Sequence, residues 1–166
     1  GSAFGNIGLP AQPSQEMFEN RLALALRRHS EAPVIWLEDE SQRIGDLNIP
    51  HELWKTMRRS PLSFLEIPFD QRLAKIVQDY GGLDRTRLLA AIGRIRNRLG
   101  GLEADQATRL LEAGDLAGSF RILLTYYDKF YIKGLHNREN LEALLTRVPC
   151  DRVEAGNAVR VLHQIR

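Results

Sequence analysis

Cysteine is nearly absent: Cys150 stands alone in 166 residues. A single thiol excludes an intramolecular disulfide and any zinc site built on clustered cysteines. Lysine is scarce too, 4 residues against 19 arginines. The positive charge therefore sits almost wholly on planar guanidinium forks, which suit phosphate and carboxylate, although a GC-rich genome would produce the same bias. No run of 18 apolar residues occurs, which excludes a membrane-spanning helix. The N-terminus has no basic-then-apolar signal pattern, so the chain reads as cytoplasmic and reduced. The phosphate-cradling pattern G-x-x-x-x-G-K-[ST] is also missing, because no Lys-Ser or Lys-Thr follows the glycines at Gly1, Gly5 and Gly8. His29, His51, His136 and His163 are scattered. They support neither a metal site nor a base for Cys150, which reads as an inert loop thiol ahead of a helix.

What is present is the composition of one folded domain with a real core: 43% hydrophobic and 27% charged residues. The net charge is +2, but it is unevenly placed. Residues 1–83 carry 9 basic and 11 acidic side chains, whereas residues 84–166 carry 14 and 10. The second half is the one suited to an anionic partner.

Residues 1–12 read as an irregular loop. Ser14 is a fitting N-cap for a helix over 15–29, with Glu16 in its first turn and Phe18, Leu22, Ala25 and Leu26 on one face. Val34-Ile-Trp-Leu37, ending in Glu38-Asp39-Glu40, has the look of a strand buried on both faces, and Leu62 to Ile67 has it again. A short helix over 49–57 lies between them. Strand, helix and strand at this spacing predict a βαβ unit of a parallel sheet. Beyond Pro68 the pattern is helical: 71–80 capped by Asp70, 85–99 capped by Asp84, then 104–113, 115–133, 138–147 and 151–165. The expected fold class is α/β, a partial parallel sheet (strands near 34–38 and 62–67) of the kind found in P-loop NTPases, followed by a mostly helical half. The expected division is 1–68 for the α/β part and 69–166 for the helical part.

Three constellations could carry chemistry. An apolar strand ending in Glu38 and Asp39 has the form of a Walker B strand, whose acid helps to hold Mg²⁺ beside nucleotide phosphates; a strand end with solvated acids looks the same. Arg87, Arg94 and Arg98 fall within about 40° of one another on a helical wheel. They lie opposite the apolar stripe of Leu88, Ile92, Ile95 and Leu99, and no acid interrupts 85–98. Such a stripe suits several phosphates, or ordinary solvation and pairing with neighbouring acids. Tyr126, Tyr127, Phe130 and Tyr131 with Lys129 and Lys133 resemble a stacking platform. The wheel instead places Leu116, Phe120, Leu123, Tyr127 and Phe130 on a core stripe, with Tyr126, Lys129 and Lys133 together on an exposed flank.

Taken together, several segments resemble the bacterial tRNA 2-selenouridine synthases over nearly the whole chain. They are Gly1-Ser-Ala-Phe-Gly5, Gln12-Pro-Ser-Gln15, Phe18-Glu-Asn20, Glu38-Asp-Glu-Ser41 with Ile44-Gly45, Pro68-Phe69, Arg72-Leu73, Tyr80-Gly81, Arg98-Leu-Gly-Gly101 and Tyr126-Tyr127-Asp128. The resemblance implies an N-terminal rhodanese-like domain with a catalytic Cys, then a P-loop domain. It also implies replacement of the 2-thio sulfur of the wobble uridine in tRNA by selenium from selenophosphate, after alkylation with geranyl diphosphate. This chain would be the C-terminal part of the P-loop domain, without the rhodanese domain and Walker A loop, and would hold no catalytic residue and be inactive alone. Glu38 and Asp39 would then be Walker B-like acids, with Mg²⁺ at Asp39 once the missing loop is restored. Ser41, Arg43 and Gly45 would line the ligand rim beyond the strand end. Arg87, Arg94 and Arg98 as contacts for tRNA phosphate or diphosphate are an inference from the stripe, not from the resemblance. Two other readings compete: a P-loop NTPase or kinase-like remnant with no RNA role, and a helical module that docks a protein.

Overall fold

The computed structural model describes residues 10–39 and 41–164. The backbone divides into two compact units, one ending at Ser60 and the other beginning at Pro61.

In the first unit, α1 (Gln15–Arg28) starts where Ser14 Oγ accepts from the Met17 N–H at 3.2 Å. Its last turn carries Arg27 and Arg28, where cations favour the helix dipole. Two short strands follow, β1 (Arg43–Ile44) and β2 (Leu47–Asn48), paired antiparallel with Ile44 opposite Leu47. The turn between them is Gly45-Asp46, with Gly45 at φ +64°, the arrangement of a II′ hairpin turn. Helix α2 (His51–Arg59) opens on Pro50, whose missing N–H costs nothing there.

The second unit begins with β3 (Leu62–Glu66), then α3 (Phe69–Tyr80), α4 (Arg85–Leu99), α5 (Gly101–Glu112) and α6 (Leu116–His136). Asp84 caps α4 by accepting from the Arg87 N–H at 3.0 Å, and Asp115 caps α6 through the Gly118 N–H at 2.8 Å. Gly100, at φ +104°, makes the tight reversal from α4 into α5. These helices close one apolar core. Leu73, Leu88, Ala91, Ile92, Leu99, Ala104, Ala107, Leu111, Phe120, Leu123 and Leu124 are all buried in it. The chain then makes one turn, α7 (Leu141–Leu144), enters β4 (Leu145–Pro149), and ends in α8 (Gly156–Gln164). β3 and β4 pair in parallel, Leu62 opposite Leu145 through Glu66 opposite Pro149. A smaller apolar cluster, Val148, Cys150 and Val161 with Leu65 and Ile67, lies against this pair.

The fold is α/β with a small parallel sheet, as the pattern predicts, and the strand at 62–67 is there. Four details differ. Residues 34–38 form no strand. Val34, Ile35, Trp36 and Leu37 are each between 41% and 55% exposed. An apolar run becomes an interior strand only when a ladder partner is supplied on each side, and no strand among the described residues pairs with it. Glu40, at the end of that run, lies outside the described residues, as does the glycine-bearing segment 1–9. Second, the partner of β3 is 145–149, within a stretch whose periodicity predicts a helix over 138–147. Only 141–144 is helical, because pairing with a strand over 80 positions away outweighs one turn of local preference. Third, Asp70 sits in the first turn of α3 rather than at its cap, which is Pro68. Fourth, the apolar stripe of α6 is interrupted midway, although Leu135 in its last turn is buried. Phe120 and Leu123 are buried, but Tyr127 and Phe130 are 38% and 49% exposed, and Tyr126 packs on the core instead. Helix α6 runs 21 residues, against 12 for α5 and 12 for α3 beside it.

Candidate functional site

The predicted acids and rim residues all fall in the first unit. Glu38 is exposed and Asp39 half-buried. Ser41, Arg43 and Gly45 are built into the hairpin itself. Ser41 Oγ donates to the Arg43 carbonyl, Arg43 Nε donates to the Gly45 carbonyl at 2.8 Å, and the Arg43 guanidinium reaches Asp46 Oδ1 at 3.4 Å. A β-carbon at Gly45 would strike the Gln12 amide, so the position is closed to larger residues by space as well as by φ.

Two glutamines complete this arrangement. Gln12 donates from Nε2 to the Ile44 carbonyl at 2.8 Å and accepts the Asp46 N–H at 2.8 Å. Gln15 does the same to Asn48, accepting its N–H at 2.9 Å and donating to its carbonyl at 2.8 Å. Each amide acts as a short piece of an extra strand, satisfying both backbone groups of the hairpin at one point. Sequence reasoning places Gln12-Pro-Ser-Gln15 among the shared segments but assigns it no role. Its signal is a pair of amides three apart astride a helix N-cap, with a glycine hairpin turn downstream.

Glu38 and Asp39 supply hard carboxylate oxygens, which is the donor chemistry Mg²⁺ takes, with the rest of its shell from phosphates and water. No group of three metal-ligating side chains occurs among the described residues. The acids fit a partial ligand set, not a complete one.

The predicted basic stripe lies in the second unit, on α4. Leu88 and Ile92 are 1% exposed, Leu99 is buried, and Ile95 packs against the same core. That contact fixes the rotation of the helix and turns Arg87, Arg94 and Arg98 outward, where all three are exposed. Their neighbours are spoken for. Arg85 donates to the Glu112 carbonyl at 3.2 Å, and Arg96 forms a two-pronged pair with Asp105 of α5. The hydrogen bonds raise the Arg96 pKa and hold the Asp105 carboxyl below its ordinary value. No such contact engages the side chains of Arg87, Arg94 and Arg98 among the described residues. The helix thus separates arginines that hold α4 to α5 from arginines facing solvent.

A further arginine escaped sequence reasoning as a distinct site. Arg72 grips Asp128 of α6 with both nitrogens, at 2.6 and 2.7 Å, and donates from Nε to the Ile67 carbonyl at 3.1 Å. The Asp128 hydrogen bonds raise the Arg72 pKa. One guanidinium therefore ties the C-terminal end of β3 to α6, and its i to i+56 separation hid it from any local pattern. Cys150 is a buried free thiol whose Sγ lies 3.4 Å from the Val148 carbonyl, consistent with its inert reading.

No helix among the described residues is long and apolar enough to cross a membrane. The family model for the tRNA 2-selenouridine synthase AAA domain matches residues 1–147. Among curated relatives, the tRNA 2-selenouridine synthase of Marinobacter nauticus is 38% identical, over 79% of this chain and 44% of its own. That of Pseudomonas savastanoi pv. phaseolicola is 33% identical over 100% of this chain and 51% of its own. That of Cupriavidus necator is 35% identical over 84% and 46%. The chain thus spans about half the length of the curated relatives it matches. No solved structure matches it.

Proposed function

The chain belongs to the tRNA 2-selenouridine synthase family, and from that membership we propose that it supplies the tRNA-holding part of an enzyme that exchanges sulfur for selenium on tRNA. In this reading the whole enzyme acts in the cytoplasm on wobble 2-thiouridine. It takes selenium from selenophosphate, after the sulfur has been alkylated with a geranyl group from geranyl diphosphate. The residues described here bind and orient; the reacting centre requires a phosphate-binding loop and a thiol domain beyond them, and the chain alone is inactive. Asp39, with Glu38 beside it, would hold Mg²⁺ against a diphosphate supplied with that loop. Ser41, Arg43 and Gly45 serve this rim by keeping the hairpin closed behind the acids.

The observation that carries the proposal is the division of labour on α4. Arg87, Arg94 and Arg98 face solvent with no ion pair among the described residues, while Arg85 and Arg96 are engaged by α5. A helix face of unpaired guanidinium groups suits an RNA backbone, which is held through shape and phosphates. Charge reversal tests it. Arg94→Glu with Arg98→Glu should weaken tRNA binding by about tenfold or more at moderate salt and flatten the log–log salt dependence by about 1.5 to 2. Circular dichroism and melting should be unchanged, because both side chains are exposed. Unaltered affinity and salt slope would remove tRNA from this helix and return the chain to a nucleotide-binding or protein-docking role.

A further inference from the structure

Beyond Tyr126, one face of helix α6 carries exposed side chains that are not random surface. Phe130 is 49% exposed, yet its ring is held, with the Tyr126 ring 4.6 Å away and packed on the core. Tyr131, on the adjoining face, lies 6.0 Å from Phe64 of β3 and 5.9 Å from Tyr127, so the helix is backed by rings where it passes the sheet. Lys129 and Lys133 stand beside Phe130 on one side of the helix, both exposed and both outside any ion pair among the described residues. The one carboxylate between residues 116 and 136 is Asp128. Arg72 already neutralises it at 2.6 and 2.7 Å. The outcome is an exposed ring with two exposed lysines on one side of it, at i−1 and i+3 along the helix.

We propose that Phe130, with Lys129 and Lys133, is a stacking platform for an unpaired nucleotide of the bound tRNA, the base lying on the ring and its flanking phosphates on the two lysines. This deepens the tRNA reading and rests on it. Aromatic faces accept any base, and the adjoining cations track the backbone, so one ring with two lysines meets the chemistry of a single-stranded nucleotide. Charge complementarity selects this occupant over a protein: the one acid of α6 is paired with Arg72, and the two lysines beside the ring are outside any ion pair among the described residues. A loop or end of the RNA, rather than a duplex, is what offers an unstacked base. The role differs from that of α4, which reads backbone only.

The test uses the full chain and a fluorescein-labelled, unmodified tRNA transcript, followed by anisotropy. Phe130→Ala should weaken binding by about tenfold to a hundredfold, while Phe130→Tyr, which keeps a ring, binds as the unaltered chain does. Lys129→Gln with Lys133→Gln should flatten the salt dependence and leave the melting temperature in place. Should Phe130→Ala also melt early, Phe130→Trp supplies an independent readout through its added fluorescence over Trp36 and Trp54. Quenching when RNA is added supports the platform. Emission already blue-shifted and indifferent to RNA, as when protein covers the ring, overturns it. Full binding by Phe130→Ala also overturns it. In that case Arg94→Glu with Arg98→Glu in the same assay separates the two ideas: lost binding leaves the tRNA reading standing, and retained binding removes both.

Discussion

Leu47 and Ile49 are the buried apolar side chains among the described residues of 10–60, and neither α1 nor α2 contains a buried residue. Residues 61–164 bury an eleven-member core with Phe120, Ala107, Leu111 and Ala91 at 0% exposure. The first unit is instead held where side chains meet backbone: Gln12 and Gln15 on the hairpin, Arg43 on Gly45, Ser41 on Arg43. The contrast teaches where each kind of function can reside. A dry core fixes helix rotation, and so can aim a stripe of arginines without touching it. A polar clamp holds a local loop in shape but contributes little free energy, each such bond netting about 1 kcal/mol. The binding proposed for α4 and α6 would therefore stand on the stable part, and the acids at 38 and 39 stand on the lightly held part.

The largest effect that could break this contrast is in the core. Phe120→Ala should cost about 3–5 kcal/mol, read as a lower urea midpoint for residues 61–164 by hydrogen exchange. A loss below about 1 kcal/mol would mean that the second unit is not core-limited. Next comes the hairpin. Gly45→Ala forces a left-handed alanine and displaces the Gln12 amide, so the Asp46 and Asn48 amides should exchange faster by a local penalty of about 1–2 kcal/mol. The core amides should not respond; if they do, the two units share one cooperative transition. The smallest effect is electrostatic. Asp105 titrates below its ordinary 3.8 because Arg96 donates to it. Its stabilising effect is thus complete above that value and lost as pH falls through the lower folded value. Asp105→Asn should melt slightly below the unaltered chain at neutral pH and match it in strong acid. A gap that persists in strong acid would assign the pair's effect to packing instead.

Much of the second unit was legible residue by residue. Asp84 announces a helix start because a carboxylate satisfies orphan N–H groups locally, and the 3.6-residue spacing of Leu88, Ile92, Ile95 and Leu99 predicts the face that the core buries. The stripe of Arg87, Arg94 and Arg98 follows from that same periodicity. The hairpin was not read, although Gly45-Asp46 between Ile44 and Leu47 carries its signal, because four residues of strand are too short for any alternation to register. Val34 to Leu37 failed differently. Its composition is that of an interior strand, and composition cannot say whether a ladder partner lies beside it.

By itself, then, the order of residues determined helix α4, its Asp84 cap and the face it turns outward, because each follows from spacings within about four positions. Only tertiary structure decided that β3 pairs with 145–149, that Arg72 spends its charge on Asp128, and that α6 leaves Phe130 in solvent. Those outcomes turn on contacts between residues 56 or more apart and on how neighbouring helices pack, which no local pattern encodes.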